Sequence, residues 1–388
     1  MIMKWLPIIC IFFVFGGCKD KKMTWENDVP VYKFKMSQDD PVSLREICDS
    51  IEIVSLPSFR GWADMVKSYK DRYYVQNSQE VFIFDRAGVF VNKISSGEKG
   101  EGQYDKVADV VIDPFNETLL LLSQWRGVLE YTLDGKYLGT YRPEGSIYRI
   151  FPMNKDVFAC LRMAPEKKIH YFSRKKEAYV ASAFSLPDAF GMAFDLYGYM
   201  KDGVNYGAFH FLNTYYRIEA DKIIPAYHFT TGRSPYRLSQ VKSPPFKKPT
   251  GKGKNNRDLM EEYRQKRADW LNATFPVIIG EARAWGNWIL ADFKDGREGF
   301  LPQKFFYVLC NTKDGSCRKF EFFTEDVEFP LRTYFNGNEI VYLCGGEYIE
   351  DFVPYEMLDE REKKKIDGLK LFNPLCIVRL KLKVSGND

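Results

Sequence analysis

Residues 74–94, YVQNSQEVFIFDRAGVFVNKI, align without a gap with residues 121–141, LLSQWRGVLEYTLDGKYLGTY. The alignment places Gly88 on Gly135, so the two copies are offset by 47 residues (135 − 88). Each copy contains a short strand, a polar turn, a strand with alternating apolar residues, a glycine-containing hairpin turn and a further strand. A repeat of this length with several strands per unit is typical of a propeller blade.

The same kind of strand start recurs along the chain as a small polar turn that leads into a hydrophobic stretch. The intervals between successive turns run from 39 residues (156 − 117) to 51 residues (338 − 287), except for 84 residues (287 − 203) between the fourth and the fifth. We therefore predict an all-β fold, a six-bladed β-propeller. The six turns lie at residues 71–72, 116–117, 155–156, 202–203, 286–287 and 336–338.

The long interval predicts a helical insertion between blades four and five, at about residues 244–275. A Pro-Pro pair and a basic loop come first, at residues 244–257. Residues 258–272, DLMEEYRQKRADWLN, then have apolar residues near one helical face and charges elsewhere. A second, shorter helix is predicted from Tyr355 to Ile366, because Pro354 and Gly368 bound that segment.

Two alternating strands outside the repeats predict how the ring closes. Residues 51–56, IEIVSL, lie near the start of the chain, and residues 375–382, LCIVRLKL, lie near its end. A ring of blades needs its last sheet completed, since an open sheet edge is a liability. We therefore expect a strand from the N-terminal region to pair into the last blade.

The first 17 residues have the layout of a secretory signal. Lys4 is followed by an apolar run and by Gly16-Gly17, directly before Cys18. The run is too short to span a bilayer comfortably. The cluster resembles the lipobox of bacterial lipoproteins, and this resemblance implies cleavage before Cys18 and attachment of acyl chains such as palmitate there. An ordinary secretory signal or an uncleaved anchor is the alternative.

On this interpretation the chain has three parts. Residues 1–17 are the lipoprotein signal peptide, residues 18–40 are a lipidated tether, and residues 41–388 are the propeller. The polar stretch after Cys18, KDKKMTWEND, contains little that could be packed, as expected for a solvated linker.

Several motifs in order carry a family resemblance. They include VFIFDRAG at 81–88, GEKGEGQY at 97–104 and DVVIDP at 109–114. Together they are similar to the six-bladed β-propeller lipoproteins of Bacteroidota, and the glycine-rich stretch is similar to the turn of NHL-type propeller repeats. The resemblance covers nearly the whole mature chain. It implies an outer-membrane lipoprotein of the cell envelope, periplasmic or surface-exposed, but little about function, because propellers support both binding and catalysis.

Composition excludes several kinds of function. Lysine and arginine total 56 against 52 aspartates and glutamates, and this near balance argues against a nucleic-acid partner. With 31 Phe and 24 Tyr, the chain favours β-structure with a large core. Only three histidines and no CxxC pair are present, so we predict neither a metal site nor a cofactor.

Cys310 and Cys317 pose a choice between two hairpins. If all six intervening residues form the loop, the two cysteines face each other and a disulfide is feasible. If Asp314-Gly315 forms a two-residue turn instead, Cys317 pairs with Thr312 and no bridge forms. The sequence leaves both open.

No motif for a catalytic nucleophile or a metalloprotease occurs, neither GxSxG nor HExxH. We therefore predict a non-catalytic binding or scaffold module, tethered to the membrane by its lipid anchor, for a protein, peptide or glycan partner. Tyr104, Trp125 and Arg126 in blade turns form a possible ligand face.

The alternative is an envelope hydrolase or lyase with carboxylates from different blades in the central channel. Ionisable side chains converging at one mouth of the ring would favour this enzyme. A lining of small or apolar residues would count against it.

Overall fold

The computed structural model describes residues 24–26, 29–96, 102–123, 126–162, 168–183, 196–209, 212–232, 245–247, 249, 256–275, 277–295, 305–330 and 332–383. The strands in these ranges form six sheets arranged as a six-bladed β-propeller, so the predicted fold class is confirmed. Three strands precede the first blade: β1 (Thr24–Glu26), β2 (Val29–Lys33) and β3 (Cys48–Leu56).

Each blade is an antiparallel meander of four successive strands, except the last, which takes its fourth strand from the N-terminal region. Blade one consists of β4 (Met65–Tyr69), β5 (Arg72–Gln76), β6 (Glu80–Asp85) and β7 (Phe90–Ser95). Blade two consists of β8 (Val107–Asp113), β9 (Thr118–Ser123), β10 (Gly127–Thr132) and β11 (Tyr137–Tyr141). Blade three consists of β12 (Ile147–Pro152), β13 (Val157–Arg162), β14 (Ile169–Ser173) and β15 (Ala178–Ala183). Blade four consists of β16 (Leu196–Lys201), β17 (Val204–Phe209), β18 (Thr214–Ile218) and β19 (Ile223–Thr230). Blade five consists of β20 (Val277–Trp285), β21 (Trp288–Asp295), β22 (Phe305–Asn311) and β23 (Cys317–Phe320). Blade six consists of β24 (Tyr334–Asn336), β25 (Glu339–Gly345) and β26 (Leu375–Leu382), with β3 as its fourth strand.

The six polar turns of the sequence all have one place in the fold. Each joins the first strand of a blade to the second. The repeat of 47 residues is also confirmed, because β5, β6 and β7 correspond to β9, β10 and β11. Gly88 and Gly135 match since both close the last hairpin of their blade at positive φ, 84° and 88°, where a side chain is disfavoured.

The core lies between neighbouring blades. In β9 all six residues are buried, and their alternation sends them to two sides. Leu119 and Leu121 pack with blade one, and Leu120 and Leu122 pack with blade three. A strand in this position is apolar throughout because both of its faces are covered.

The N-terminal strand β3 closes the ring as predicted. It pairs antiparallel with β26, from Leu56 opposite Leu375 to Cys48 opposite Leu382. The chain therefore begins and ends its propeller in the same blade, so that the first and last parts of the sequence hold each other in place.

Part of the stretch predicted as a tether, residues 18–40, packs on the propeller. Strand β2 lies parallel to β19 on the outer edge of blade four, with Val31 opposite His228, and β1 pairs with β2. Tyr32 and Phe34 are buried there. The predicted signal peptide at 1–17 and the predicted lipid-attachment residue Cys18 lie outside the described residues, as does the glycine-rich stretch 97–101.

Four α-helices occur in the described ranges. They are α1 (Leu44–Ile47), α2 (Asn256–Thr274), α3 (Ile349–Phe352) and α4 (Glu360–Phe372). The position of α2 between β19 and β20 confirms the insertion, and its Trp270 packs against Phe275 with ring centroids 6.4 Å apart. No helix among the described residues is long and apolar enough to cross a bilayer.

The second predicted helix is displaced. Tyr355–Met357 form a single 3₁₀ turn, after which α4 starts at a new cap, where the Asp359 carboxylate accepts the N–H of Glu362 at 2.8 Å. Gly368 does not end this helix. The reason is that Leu369 in the next turn is buried, and the helix ends only at Asn373, which has left-handed backbone, φ 41°.

The hairpin choice at Cys310 is settled in favour of facing cysteines, with a loop shorter than six residues because the Asn311 N–H donates to the Ser316 carbonyl. Cys310 lies directly opposite Cys317 in the β22–β23 pair, and the two form a disulfide. The other cysteines of the described ranges, Cys48, Cys160, Cys344 and Cys376, are free and buried.

Candidate ligand-binding site

A cavity of about 310 Å³ lies on the axis of the ring. All six blades line it, each through its first strand or the residues next to that strand. Two of the polar turns recognised in the sequence, Asp202-Gly203 and Asn336-Gly337, belong to its rim. The cavity therefore opens on the side of the ring where first strands turn into second strands. Its volume is at the small end of the range for ligand sites.

Blades one to three contribute a shared ion pair to this cavity. Lys67 Nζ lies 3.6 Å from Asp109 Oδ1, and Arg149 Nη1 lies 3.7 Å from the same oxygen. Lys67 also donates to the carbonyl oxygen of Val110. The side chains of Lys67 and Asp109 are nearly buried, whereas 29% of the Arg149 side chain is exposed. Two cations from two blades thus meet one carboxylate from the blade between them.

Blade five contributes a second ion pair. Arg283 Nη2 donates to Glu281 Oε2 at 2.6 Å, and the guanidinium carbon lies 5.5 Å from the centre of the Phe329 ring. The Arg283 side chain is only 2% exposed. Its Nε and Nη1 atoms, like the buried hydroxyl of Thr333, have no hydrogen-bond partner among the described residues. A buried donor without an acceptor lowers stability.

A β-bulge places this second ion pair. The register of β20 shifts between Ile279 and Ala282, so Gly280 and Glu281 bulge from the sheet. The Asp292 carboxylate accepts the N–H of Glu281, and Tyr215 accepts the N–H of Ala282 while donating to the carbonyl of Gly280 at 3.3 Å. Position 280 requires glycine because a Cβ atom there would overlap the Asp292 carboxylate. The bulge re-aims side chains near a site, a common use of this device.

Burial shifts the ionisation of these groups in ways that favour their neutral forms. Desolvation lowers the pKa of Lys67, although Asp109 opposes that shift. Desolvation also raises the pKa of Glu281, against the attraction of Arg283, Arg149 and Lys67. It raises the pKa of Asp292 to about 7, with Arg283 opposing. The charged groups of four blades therefore act on one another across the cavity.

The rest of the lining is aromatic and amide-bearing. Tyr69, Phe151 and Tyr334 contribute partly buried rings, and Lys67 Nζ lies 6.0 Å from the centre of the Tyr334 ring. The side-chain amides of the lining hold the rim together: Asn205 donates to the carbonyl of Pro152 at 2.6 Å, and Asn336 to that of Ser68 at 3.2 Å. Apolar walls with a few placed polar groups are typical of sites for small ligands.

Of the ligand face predicted from sequence, the structure describes Tyr104 and Arg126. Tyr104 is not exposed, because its ring is buried and its hydroxyl donates to the carbonyls of Gln79 and Ile94. Arg126 is exposed and lines a separate cavity of about 200 Å³, next to the end of β9 that lies away from the channel mouth. Trp125 lies outside the described residues. Neither Tyr104 nor Arg126 lines the central cavity.

None of the charged residues of the channel was identified as a site residue from the sequence. A usable signal was present, since Lys67, Asp109, Arg149 and Arg283 are charges inside otherwise β-forming first strands, shortly before the repeated polar turns. Charges at such positions are seldom tolerated unless paired. The described residues contain no group of histidine, cysteine, aspartate and glutamate side chains able to hold a metal ion.

Comparison with known proteins gives a likeness of fold. A solved structure from Bacteroides fragilis NCTC 9343, named as an exported protein, aligns with 91% of this chain and 99% of its own, at 11% identity and a TM-score of 0.65. A protein of unknown function from Bacteroides caccae aligns with 68% of this chain and 82% of its own, at 14% identity and a TM-score of 0.38. No curated protein matches. A family model described as "Domain of unknown function (DUF4934)" matches residues 27–373, and the chain therefore belongs to that family.

Proposed function

We propose that this protein is a lipid-anchored propeller of the cell envelope that binds a ligand in its central cavity. The convergence of charged side chains from four blades carries the proposal. Such groups are expensive to hold in a closed ring, and apolar residues would fill the channel at lower cost. Their presence is explained if they meet a ligand.

The envelope location has separate support. The signal layout before Cys18 favours export, and the structural neighbour from Bacteroides fragilis is named as an exported protein. The Cys310–Cys317 disulfide fits an oxidising compartment. Acyl chains on Cys18 would hold the propeller at the outer membrane, because two or more chains anchor stably.

Cell fractionation of the full-length protein tests the anchor. Cys18→Ala is expected to abolish acyl labelling and to leave the protein either uncleaved or released from the membrane, whereas Cys48→Ala, at a buried cysteine of the propeller, should change neither. Unchanged acyl labelling and fractionation of Cys18→Ala would refute the lipid anchor while leaving the cavity proposal intact.

Binding of a peptide and glycan panel to the detergent-solubilised full-length protein tests the cavity. Met200 lines the cavity and is half-buried, so Met200→Trp adds bulk inside it. We expect this variant to lose the ligand that the wild type binds. Val180→Trp, on an exposed strand position of blade three, is the matched control. Binding that survives Met200→Trp would place the ligand elsewhere.

A second function, an envelope hydrolase or lyase, is favoured by one specific observation. The ionisable side chains do converge in the channel, and the pKa values of Glu281 and Lys67 are shifted toward each other by burial. Groups shifted in this way suit general acid–base chemistry. Turnover of a panel substrate that is lost in Glu281→Gln, with binding retained, would establish the enzyme over the binding module.

A further inference from the structure

We infer that the face of the ring opposite the cavity mouth lies on the membrane surface, with Trp62, Leu371 and Phe372 among the lipid headgroups. This inference goes beyond ligand binding and rests on the proposed envelope location, because the anchor at Cys18 brings the propeller to the bilayer. It follows from the direction of the N-terminal strands, from the most exposed apolar side chains and from the cations beside them.

The strand directions place the anchor on that face. The mouth lies where first strands turn into second strands, so the fourth strand of a blade runs away from the mouth. Strand β2 is parallel to β19, the fourth strand of blade four, and β1 is antiparallel to β2, with Thr24 opposite Val31. The chain therefore enters β1 at the end that faces away from the mouth. Cys18 precedes Thr24 by six residues (24 − 18), which span about 21 Å at most.

The three most exposed large apolar side chains of the described ranges lie on the same face. Trp62 is 75% exposed, Leu371 79% and Phe372 84%. Trp62 belongs to the connection from β3 to β4, and the other two end α4 in the connection from β25 to β26. Both connections join strand ends that lie away from the polar turns. Single apolar residues are normal on a surface, but a group with this exposure indicates an interaction site.

Cations lie beside these apolar side chains. A groove of about 520 Å³ between α4 and the β3–β4 connection is lined by Arg60, Lys364 and Lys365, together with Phe372. Lys365 pairs with Glu362 at 2.6 Å. Neither Arg60 nor Lys364 has an ion-pair partner among the described residues. Two cations of the groove are therefore available to an anion from outside.

The carboxylates near the groove do not line it. Residues 346–372 contain eight carboxylates and five cations, yet none of the eight is part of the groove lining. Three of them are held in ion pairs by lysines: Glu350 by Lys370, Glu360 by Lys363 and Glu362 by Lys365. A phosphate that enters the groove would thus meet Arg60 and Lys364 directly, and phosphate oxygens are strong acceptors for both.

A phospholipid headgroup fits the apolar and the charged features together. Tryptophan is enriched where headgroups meet acyl chains, and the stem of a lysine packs on apolar surface while its ammonium group reaches a phosphate. Amphipathic helices that lie in this region bury their apolar face among the headgroups. In this orientation the cavity mouth faces away from the membrane, so a ligand enters it from the solvent.

Lipid quenching of a fluorescent dye tests the orientation. The full-length lipidated protein is reconstituted in phosphatidylcholine vesicles that contain phosphatidylglycerol, with the dye attached through Phe372→Cys. Val89→Cys is the matched control, an exposed apolar residue in the turn between β6 and β7 on the mouth side. The free cysteines of the described ranges are buried and should not react. Quenching by headgroup-labelled nitroxide lipids is expected to be about threefold or more stronger at 372 than at 89.

Charge reversal tests the groove. Lys364→Glu is expected to reduce the quenching of the dye at 372 about twofold, because it repels lipid phosphate. Lys136→Glu, at an exposed lysine in the turn between β10 and β11, should leave that quenching unchanged. Circular dichroism checks that both variants fold.

Equal quenching of the two dyes, or stronger quenching at 89, overturns the inference, as does unchanged quenching in Lys364→Glu. A dye at 372 that is shielded from aqueous iodide but not quenched by nitroxide lipids overturns it as well, because a second copy or another protein would then cover this face. The proposed anchor fails separately, in the acyl labelling of Cys18→Ala, and the proposed cavity fails separately, in ligand binding to Met200→Trp. Neither of those tests depends on the dye at 372.

Discussion

Blades four and six both receive a strand from the N-terminal region, but they use it differently. In blade six, β3 is the fourth strand of an otherwise three-stranded sheet and pairs antiparallel along its whole length. In blade four, β2 is a fifth strand, added in parallel to a sheet that is already complete, with only three residue pairs. Strand β3 closes the ring, whereas β2 covers the outer edge of blade four.

The two strands also differ in what protects their own outer edge, because β2 pairs with β1 there and β3 pairs with no further strand of the described ranges. Helix α4 covers β3: the Ile53 N–H donates to Glu362 at 2.9 Å, Lys365 donates to the Ile53 carbonyl at 2.9 Å, and Glu362 and Lys365 pair at 2.6 Å. This ion pair, in which Glu362 is buried and Lys365 is 32% exposed, takes the place of a neighbouring strand at Ile53. Closing the ring and protecting an edge are therefore distinct roles, and single substitutions can test each role by itself.

Replacement of a buried valine by aspartate in each of the two strands is expected to give the largest difference in unfolding free energy. Val54 in β3 packs with Val66, Tyr73 and Phe84 of blade one, so Val54→Asp places an unpaired charge in the seam between the last and first blades. We expect a loss of about 4 kcal/mol or more, enough to unfold the ring. Urea denaturation followed by circular dichroism measures it. A stable, cooperative Val54→Asp protein would show that β3 is not essential.

Val31→Asp in β2 is the matched comparison. Val31 is as buried as Val54, but it belongs to the added strand. We expect β2 to detach while the six blades stay folded, with a loss of about 3 kcal/mol from Tyr32 and Phe34. Limited proteolysis should cut residues 24–41 quickly and spare the rest. General proteolysis of the blades would contradict the division.

Removal of the α4 contacts that protect the edge of β3 should lower the unfolding free energy by a smaller amount. Glu362→Ala takes the acceptor from the Ile53 N–H and leaves Lys365 without its partner carboxylate, so we expect a loss of about 2 kcal/mol in unfolding free energy. Glu360→Ala, on the same helix at an exposed ion pair, is the control and should change stability by less than about 0.5 kcal/mol. Equal effects of the two variants would mean that α4 does not protect β3.

The smallest effect concerns His228, which lies opposite Val31 beneath β2. Desolvation lowers the pKa of His228 to about 3, so the folded protein holds it neutral while the unfolded chain binds a proton below pH 6.5. Stability is therefore lost as pH falls below 6.5, by about 1.4 kcal/mol for each pH unit. Between pH 7.5 and 5.5 we expect His228 to contribute a loss of about 1.4 kcal/mol, measured by urea titration as the difference between wild type and His228→Gln.

His228→Gln isolates that contribution. The raised pKa of Asp292, about 7, acts in the opposite sense, because the folded protein holds the extra proton and loses stability as pH rises from about 4 through 7. The difference between wild type and His228→Gln removes this and every other shared term. A wild-type curve parallel to that of His228→Gln would show that His228 is not held neutral.

The fold could be predicted from sequence to a large extent, because its signals are local. Turns such as Asp71-Arg72 and Asn336-Gly337 mark the second strand of each blade wherever they occur, and hairpin glycines repeat since positive φ is required each time. Helix α4 was displaced because a buried Leu369 extended it through Gly368, and burial is not a local property. The parallel strand β2 was missed for the same reason.

The residues of the candidate site could not be predicted from local sequence signals. Tyr104 has the composition of a ligand contact, but its burial between blades gives it a packing role. Lys67 and Glu281 act on each other although more than 200 residues separate them, and only the ring brings their strands together.

By itself, the sequence determined the number of blades, the inserted helix and the closing strand, because period, alternation and turn chemistry are written in consecutive residues. It also carries the lipobox-like cluster at Cys18. The folded structure was needed to show which charges share the axial cavity, which cysteines bridge, and that β2 covers the edge of blade four. Those outcomes depend on which distant residues come into contact, and that is fixed by the closure of the ring.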